Sequence, residues 1–509
     1  MKTLIKGARV LTMDDAFSEF DKADILVEGS KIRAVGADLG DGRNDPDLQV
    51  IDGANKLVMP GLVNGHIHSP GGFLRGALDD LPLEVYMLYE VPPLWDAPPD
   101  PRLNYVRTML GNMEMLKLGI TAVHDDAYYV PLPTPESIDG LMQSYADSGI
   151  RAVATLDQPN VVEYDKYPFL YDILPQEIRA RMEHAPIPSS QELLDLYDYF
   201  IGKWHNTSGG RVRAGVSVSC AQRVTVDYFE ALSEISKRLE IPFNVHILET
   251  KLQRVLGEVK YGKSLVQYVH DLGLLDERMM IIHAIWVDDH DVELIADAGC
   301  TVAHNPISNL RLGSGVMNFR RMMDYGVPLC LGTDESNVDD TTNIWGVGKV
   351  AGLIHTITDP EYRNWPKARE IVRAMTRGGA RGMRLEGVAG VIAPGYEADL
   401  ILLDLNTLAF TPMNDIYKHL VYSENGSSVV LTMVAGEIVM QDGKLLTVDE
   451  EALKAEAREL MKSYRAELEK TQGSVHELEP YYREMYLRCA AMDVGMNYWV
   501  SPPPEGKRS

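Results

Sequence analysis

Eight short apolar runs, separated by stretches of helical periodicity, constrain the fold of this 509-residue chain more than any other feature. They lie around residues 58–68, 120–125, 151–156, 214–220, 243–248, 279–284, 301–306 and 328–334. Near-continuous apolarity, without alternation, suits a strand buried on both faces, and such strands belong to parallel sheets covered by helices. Between them, segments such as 226–239 and 316–325 carry apolar residues near i, i+3, i+4 and i+7, one buried stripe per helix. The alternation specifies an α/β protein, and eight strands are the number that closes a (β/α)8 TIM-like barrel.

The flanks alternate with a period of two and turn at Gly, Asp and Asn, as antiparallel strands do. Residues 1–56 and 385–445 are therefore expected to form the two parts of one small β-sandwich, with the barrel in 57–384 and an extension in 446–509. In that extension, 449–472 is rich in Ala, Glu, Lys and Leu and predicts an exposed helix. The aromatic and Met-rich tail beyond it either packs on its own subunit or reaches a neighbour, since exposed aromatics at that density would form a sticky patch.

Forty-nine Lys and Arg against 74 Asp and Glu give a net charge of −25, a field that repels nucleic acid and anionic membranes. No apolar stretch approaches the roughly 20 residues that span a bilayer, and the N-terminus lacks the pattern of a signal peptide. Four scattered cysteines form neither a disulfide framework nor a CxxC pair, so a cytoplasmic location is expected.

The strongest local motif is His66-Ile67-His68, which closes the first run. Positions i and i+2 of a strand share a face, so both imidazoles can address one metal ion. His246 lies in the fifth run, His283 ends the sixth, His304 ends the seventh and Asp334 ends the eighth. A barrel gathers the C-terminal ends of its strands at one mouth. There His66, His68, His246 and Asp334 make a shell for a single divalent transition metal, with a further position for water. Glu249, three residues after His246, is placed to shuttle a proton, and His283 to hydrogen-bond the attacking oxygen. His304 and Asn305 read as scaffold or substrate-facing groups. The match of residues 257–264 to a phosphate-binding GxxxxGK[ST] loop carries little weight, because a helix-like segment precedes it and Val259 and Tyr261 crowd it.

Taken together, PGLVNGHIHSP, NVHILET, IIHAIWVDD, AHNPISNLRLGSG, LGTDESN and GVIAPGYEADLILLD resemble the amidohydrolase superfamily, in its cytosine-deaminase-like branch of aminohydrolases and triazine or phenylurea hydrolases. The resemblance runs from about residue 5 to 445. It implies the barrel with a sandwich built from both chain ends, the four metal ligands named above, Glu249 as proton shuttle and His283 beside the attacked centre. One Zn2+ per subunit is implied, with Fe2+ as the alternative, and a homo-oligomer, dimer or tetramer. The chemistry expected is hydrolysis at an sp2 carbon bearing nitrogen, with Asp334 and His283 orienting the water and Glu249 protonating the ring or leaving nitrogen. The small-molecule substrate is then an amino-substituted N-heterocycle of purine, pteridine, pyrimidine or triazine type. Cleavage of an N-substituted urea, carbamate or amide is the alternative.

Many purine and nucleoside deaminases of this branch carry a Pro-His-Ala-Pro-Tyr-like turn after the fourth strand. This chain has Ser219-Cys220-Ala221-Gln222-Arg223, which argues against a nucleoside and makes Gln222 a candidate substrate contact. Arg75, and Tyr86, Tyr89 and Trp95 in the aromatic segment after the first run, are candidates for the wall of a flat or apolar site.

Overall fold

The computed structural model describes residues 2–40, 46–95, 100–129 and 132–499. The Pro-rich end of the tail lies outside them. Each apolar run of the middle forms parallel strand. Leu62–His68, Ile120–Tyr128, Arg151–Asp157 and Val212–Ala214 lie in one five-stranded sheet whose fifth member is Asp334–Glu335. Val216–Cys220, Phe243–Ile247, Met279–His283, Thr301–His304 and Leu329–Leu331 form a second five-stranded sheet. The two share chain at both edges. Only Gly215 separates Val212–Ala214 from Val216–Cys220, and only Gly332 and Thr333 separate Leu329–Leu331 from Asp334–Glu335. At the first junction Gly215 N–H donates to Ala154 O at 2.8 Å and Val216 N–H to Pro242 O at 3.0 Å, so consecutive amides serve different neighbours.

Nearly every residue of these strands is buried, as expected of sheets covered on both sides. The helices between them present apolar stripes, such as Tyr228, Phe229 and Leu232 of Val226–Leu239. Strand register then gathers the chemistry at one end, with Cys220 opposite His246, Ile247 opposite His283 and Asp334 opposite Ile67.

The chain ends pair with each other into one nine-stranded mixed sheet. Its join is antiparallel, with Lys56–Pro60 against Leu400–Asp404. A buried ion pair fixes this sheet to the parallel strands: Arg151 Nε lies 2.6 Å from Asp399 Oδ2, and Nη2 3.1 Å from Oδ1. Two parallel charge-assisted bonds hold orientation as well as distance.

The C-terminal helix is longer and less exposed than its composition suggested, running from Glu450 to Ala490 through Pro480. Asp449 caps it, accepting from Ala452 N–H at 3.0 Å. Val475, Leu478, Tyr482, Met485 and Cys489 recur at steps of three and four and are buried, which continues the helix across Gly473 and the proline's missing N–H. Tertiary burial outweighs two local breakers here. Residues 257–261, the phosphate-loop match, form a turn of π-helix. Among the described residues no helix is long and apolar enough to cross a membrane.

Gly332 sits where backbone crosses closest to the site. A Cβ there would stand 2.5 Å from Asn305 Oδ1 and 2.8 Å from both the nitrogen and the oxygen of His66. Gly332→Ala is expected to destabilise the fold by about 1–3 kcal/mol, the usual cost of overpacking, and to lower metal content; thermal melts and elemental analysis check both.

Candidate active site

His66 and His68 end the strand Leu62–His68, His246 lies in Phe243–Ile247, His283 ends Met279–His283 and Asp334 opens Asp334–Glu335. All five are buried. The backbone is bent to bring them together. Ser219, Leu248, His283 and Asp334 have φ of 61°, 55°, 75° and 63°, a left-handed conformation costing non-glycine residues on the order of 1–3 kcal/mol each.

His246 Nε2 lies 3.2 Å from Nε2 of His68 and 3.2 Å from Nε2 of His66. The far nitrogens decide what these contacts are. His68 Nδ1 faces the Asp126 carbonyl at 2.5 Å and His246 Nδ1 faces the Ser219 carbonyl at 2.9 Å. A ring nitrogen facing a carbonyl carries the proton, so in the neutral rings the lone pairs of His68 and His246 converge at Nε2. Asp334 Oδ1 completes the group, 3.4 Å from His66 Nε2 and 3.6 Å from His68 Nε2. The edges of a tetrahedron with bonds of 2.0–2.1 Å measure about 3.3–3.4 Å, so these donors fit a zinc-sized ion.

Charge in the cluster is divided unevenly. Burial, then the neighbouring imidazoles, holds His246 well below the usual histidine pKa, so it is neutral. His68 is shifted upward: burial opposes its charge, but Asp334, Asp126 and Asp157 outweigh it. Burial opposes the charge of Asp334 too, yet contact with His66 and the fields of His283 and His68 keep it well below the carboxylate range. Asp126 and Asp157, missed in the sequence, form a second cluster with His68. Asp126 is pushed up to about 7 by burial and by Asp157. The signal for them lay in the HDD and TLD ends of the second and third strands, which carry no spacing rule.

Glu249 sits beside this cluster, its Oε2 3.4 Å from His283 Nε2 and its Oε1 accepting from Ser314 Oγ at 3.3 Å. Burial, then the charges of Asp334 and Glu84, raise its pKa well above the usual range. His283 is pushed down to about 3 by burial and is neutral. Asn309 Nδ2 approaches His283 Nδ1 at 2.9 Å and Asn305 Nδ2 at 3.4 Å. Amide donors on Nδ1 leave the ring proton on Nε2, which also lies 3.7 Å from Asp334 Oδ2. Asn305 thus supports His283 from behind.

A cavity opens above the cluster. Its lining combines apolar side chains, among them Tyr86, Met87, Trp95 and Met182, with charged ones such as Glu90, Glu163 and Arg223. Tyr86 and Trp95 are both on this lining, although the Tyr86 hydroxyl is spent on the Asn337 carbonyl at 2.8 Å. The other five expected substrate contacts are not among the cavity-lining residues, a correction for Arg75, Tyr89 and Gln222, while His304 and Asn305 take the scaffold side of their two readings. Arg75 turns outward to Glu114 at 2.8 Å, where two opposite charges meet near solvent. Tyr89, one helical step of three from Tyr86, donates to Glu479 of the C-terminal helix at 2.8 Å. His304 packs behind the site against His355, Nε2 to Nε2 3.3 Å. Gln222 is buried and is not among the cavity-lining residues; its neighbour Arg223 lines the cavity instead.

The aromatic tail folds back on its own chain. Trp499 Nε1 donates to Gly313 O at 2.8 Å and Val316 N–H donates to Tyr498 O at 3.0 Å, while Trp286 meets both rings edge-on. The strap therefore grips the turn that carries Ser314, the partner of Glu249.

Comparison with known proteins follows the same lines. The model of the amidohydrolase family matches residues 57–439. A 5-methylthioadenosine/S-adenosylhomocysteine deaminase of Carboxydothermus hydrogenoformans is 30% identical over 460 residues, covering 89% of this chain and 96% of that protein. Among solved structures, a zinc-bound adenosine deaminase from Xanthomonas campestris superposes with a TM-score of 0.80 at 23% identity, over 91% of this chain and 98% of that one. An atrazine chlorohydrolase from Arthrobacter aurescens, complexed with zinc, gives a TM-score of 0.79 at 24% identity, over 90% of this chain and 100% of that one. At these identities the structural likeness establishes shared fold.

Trp499→Phe keeps the ring and deletes the N–H that holds Gly313. Kinetics should show kcat several-fold lower, in line with the ~1 kcal/mol of one hydrogen bond, with metal content unchanged. In a Ser314→Ala background the same substitution should have no further effect on kcat.

Proposed function

The chain belongs to the amidohydrolase family, and from that premise we propose that it is a metal-dependent hydrolase that deaminates an amino-substituted N-heterocycle. We read the two parallel sheets, continuous through Gly215 and Gly332, as one (β/α)8 barrel spanning 57–384, flanked by a sandwich from 1–56 and 385–445. The observation that carries the chemistry is a buried Glu249 with its Oε2 3.4 Å from His283 Nε2, both on the lining of a cavity that also includes the proposed metal ligands His68, His246 and Asp334.

His66, His68, His246 and Asp334 would hold one divalent ion, zinc first. Bound there, it would supply a Lewis acid and a water activated at neutral pH. The rest falls to the chain. Tyr86 and Trp95 line the wall against which a planar ring can lie. His283, neutral and donating from Nε2, favours negative charge on the attacked carbon's oxygen. Glu249 gives its proton to a ring nitrogen, which removes aromatic resistance to attack, then takes the proton of the added hydroxyl as the carbonyl forms and passes it to the departing amine. Rings richer in nitrogen lose less resonance on protonation and suit the site better.

A second reading, cleavage of an N-substituted urea, carbamate or amide, draws on the aromatic wall of Tyr86 and Trp95. Mass spectrometry separates the two: the first replaces NH2 by oxygen and releases ammonia, whereas the second splits off an organic amine. Glu249→Gln should keep its metal and lose about 10²–10⁴-fold in kcat, and His68→Ala should lose the metal itself. Near-normal turnover by metal-loaded Glu249→Gln would remove the proton-shuttle role.

A further inference from the structure

The turn after the fourth strand brings an arginine to the cavity. Arg223 lines it together with Ser219, Cys220, His246 and Glu249. Its guanidinium has one polar side-chain contact, Nη1 to Ser219 Oγ at 3.4 Å, and its Nε is buried with no partner. Two buried arginines elsewhere are engaged by carboxylates. Arg151 holds Asp399 with two bonds, and Arg254 pairs with Glu258, Asp288 and Asp291. Among the described residues Arg223 forms no ion pair, and the acids nearest in charge are engaged elsewhere. Glu163 takes Lys166 at 2.6 Å and the Tyr482 hydroxyl at 2.9 Å, and Asp157 lies 3.9 Å from His68 Nδ1. Arg223 is half-buried at the cavity lining, so its guanidinium is within reach of a molecule bound there.

The wall selects the kind of acceptor. Glu90, Asp157, Glu163 and Glu335 also face the cavity, against Lys166 and Arg223 as the cations. This acidic lining repels a carboxylate or phosphate, so the acceptor is an uncharged oxygen. A planar guanidinium fork matches a ring carbonyl next to a ring nitrogen, as Arg does at the O6 and N7 edge of guanine. Resting on the deaminase reading above, we propose that Arg223 is a specificity-determining residue that donates to a carbonyl on the substrate ring. The substrate class is then an oxo-substituted amino-heterocycle of guanine, cytosine or pterin type. Adenine-type rings, which lack a ring carbonyl, are disfavoured.

Equilibrium binding tests this without turnover. The metal-loaded enzyme is titrated with matched rings that have no amino group: hypoxanthine against purine, pyrimidin-4-one against pyrimidine, and pteridin-4-one against pteridine. At least one oxo member should bind about tenfold or more tightly than its partner. Arg223→Met should abolish that preference and leave the oxo-free affinity unchanged, and Arg223→Lys, which keeps the charge, should retain part of it. No preference in any pair, equal weakening of both members in Arg223→Met, or a preference that survives Arg223→Met overturns the proposal. Ammonia release from guanine against 2-aminopurine separates the two layers of argument. A binding preference for oxo rings with no ammonia from any amino-heterocycle refutes the deaminase reading alone, whereas ammonia release at equal rates from both members of the pair refutes the role of Arg223 alone.

Discussion

Two imidazole lone pairs directed at one another repel, and most of this architecture holds His68 and His246 in that arrangement, with Nε2 atoms 3.2 Å apart. The backbone carbonyls of Asp126 and Ser219 fix the ring protons on the far side. Asp334 adds a charge kept ionised by the imidazoles around it. Such a group suits a bound cation. The left-handed residues at four strand ends and the close backbone crossing at Gly332 follow from the need to bring five strands' ends to one point.

The same confinement divides labour among the buried acids. The histidines around Asp334 hold its pKa down, while burial, then the charges of Asp334 and Glu84, push that of Glu249 up. Opposite shifts in two nearby carboxyls suit one to holding a cation and the other to donating a proton. The C-terminal extension serves this pair as well, since its strap fixes the turn that offers Ser314 to Glu249.

Much of this was legible in the sequence, for physical reasons that also mark where reading failed. Strands buried on both faces write themselves as apolar runs, and polar residues at their ends stand out, which exposed His66, His68, His246, His283 and Asp334. The pairing of the chain ends followed from period-two patterning. Side-chain direction on helices and loops does not show in that way: Tyr86 and Tyr89 differ by less than one helical turn, yet one faces the cavity and the other Glu479. Arg75 and Arg223 are indistinguishable by type, and only tertiary partners send the first outward to Glu114 and the second to the cavity. The helix Glu450–Ala490 outran its expected end because the heptad stripe from Val475 to Cys489 is buried against neighbours the sequence does not name.

The most direct test of the account is X-ray absorption spectroscopy on the purified protein with metal stoichiometry determined on the same sample. The account predicts one divalent ion per chain in a shell of three imidazole nitrogens and carboxylate or water oxygen at about 2.0–2.1 Å. Two ions per chain, a shell with fewer than three imidazoles, or active protein free of metal would contradict it.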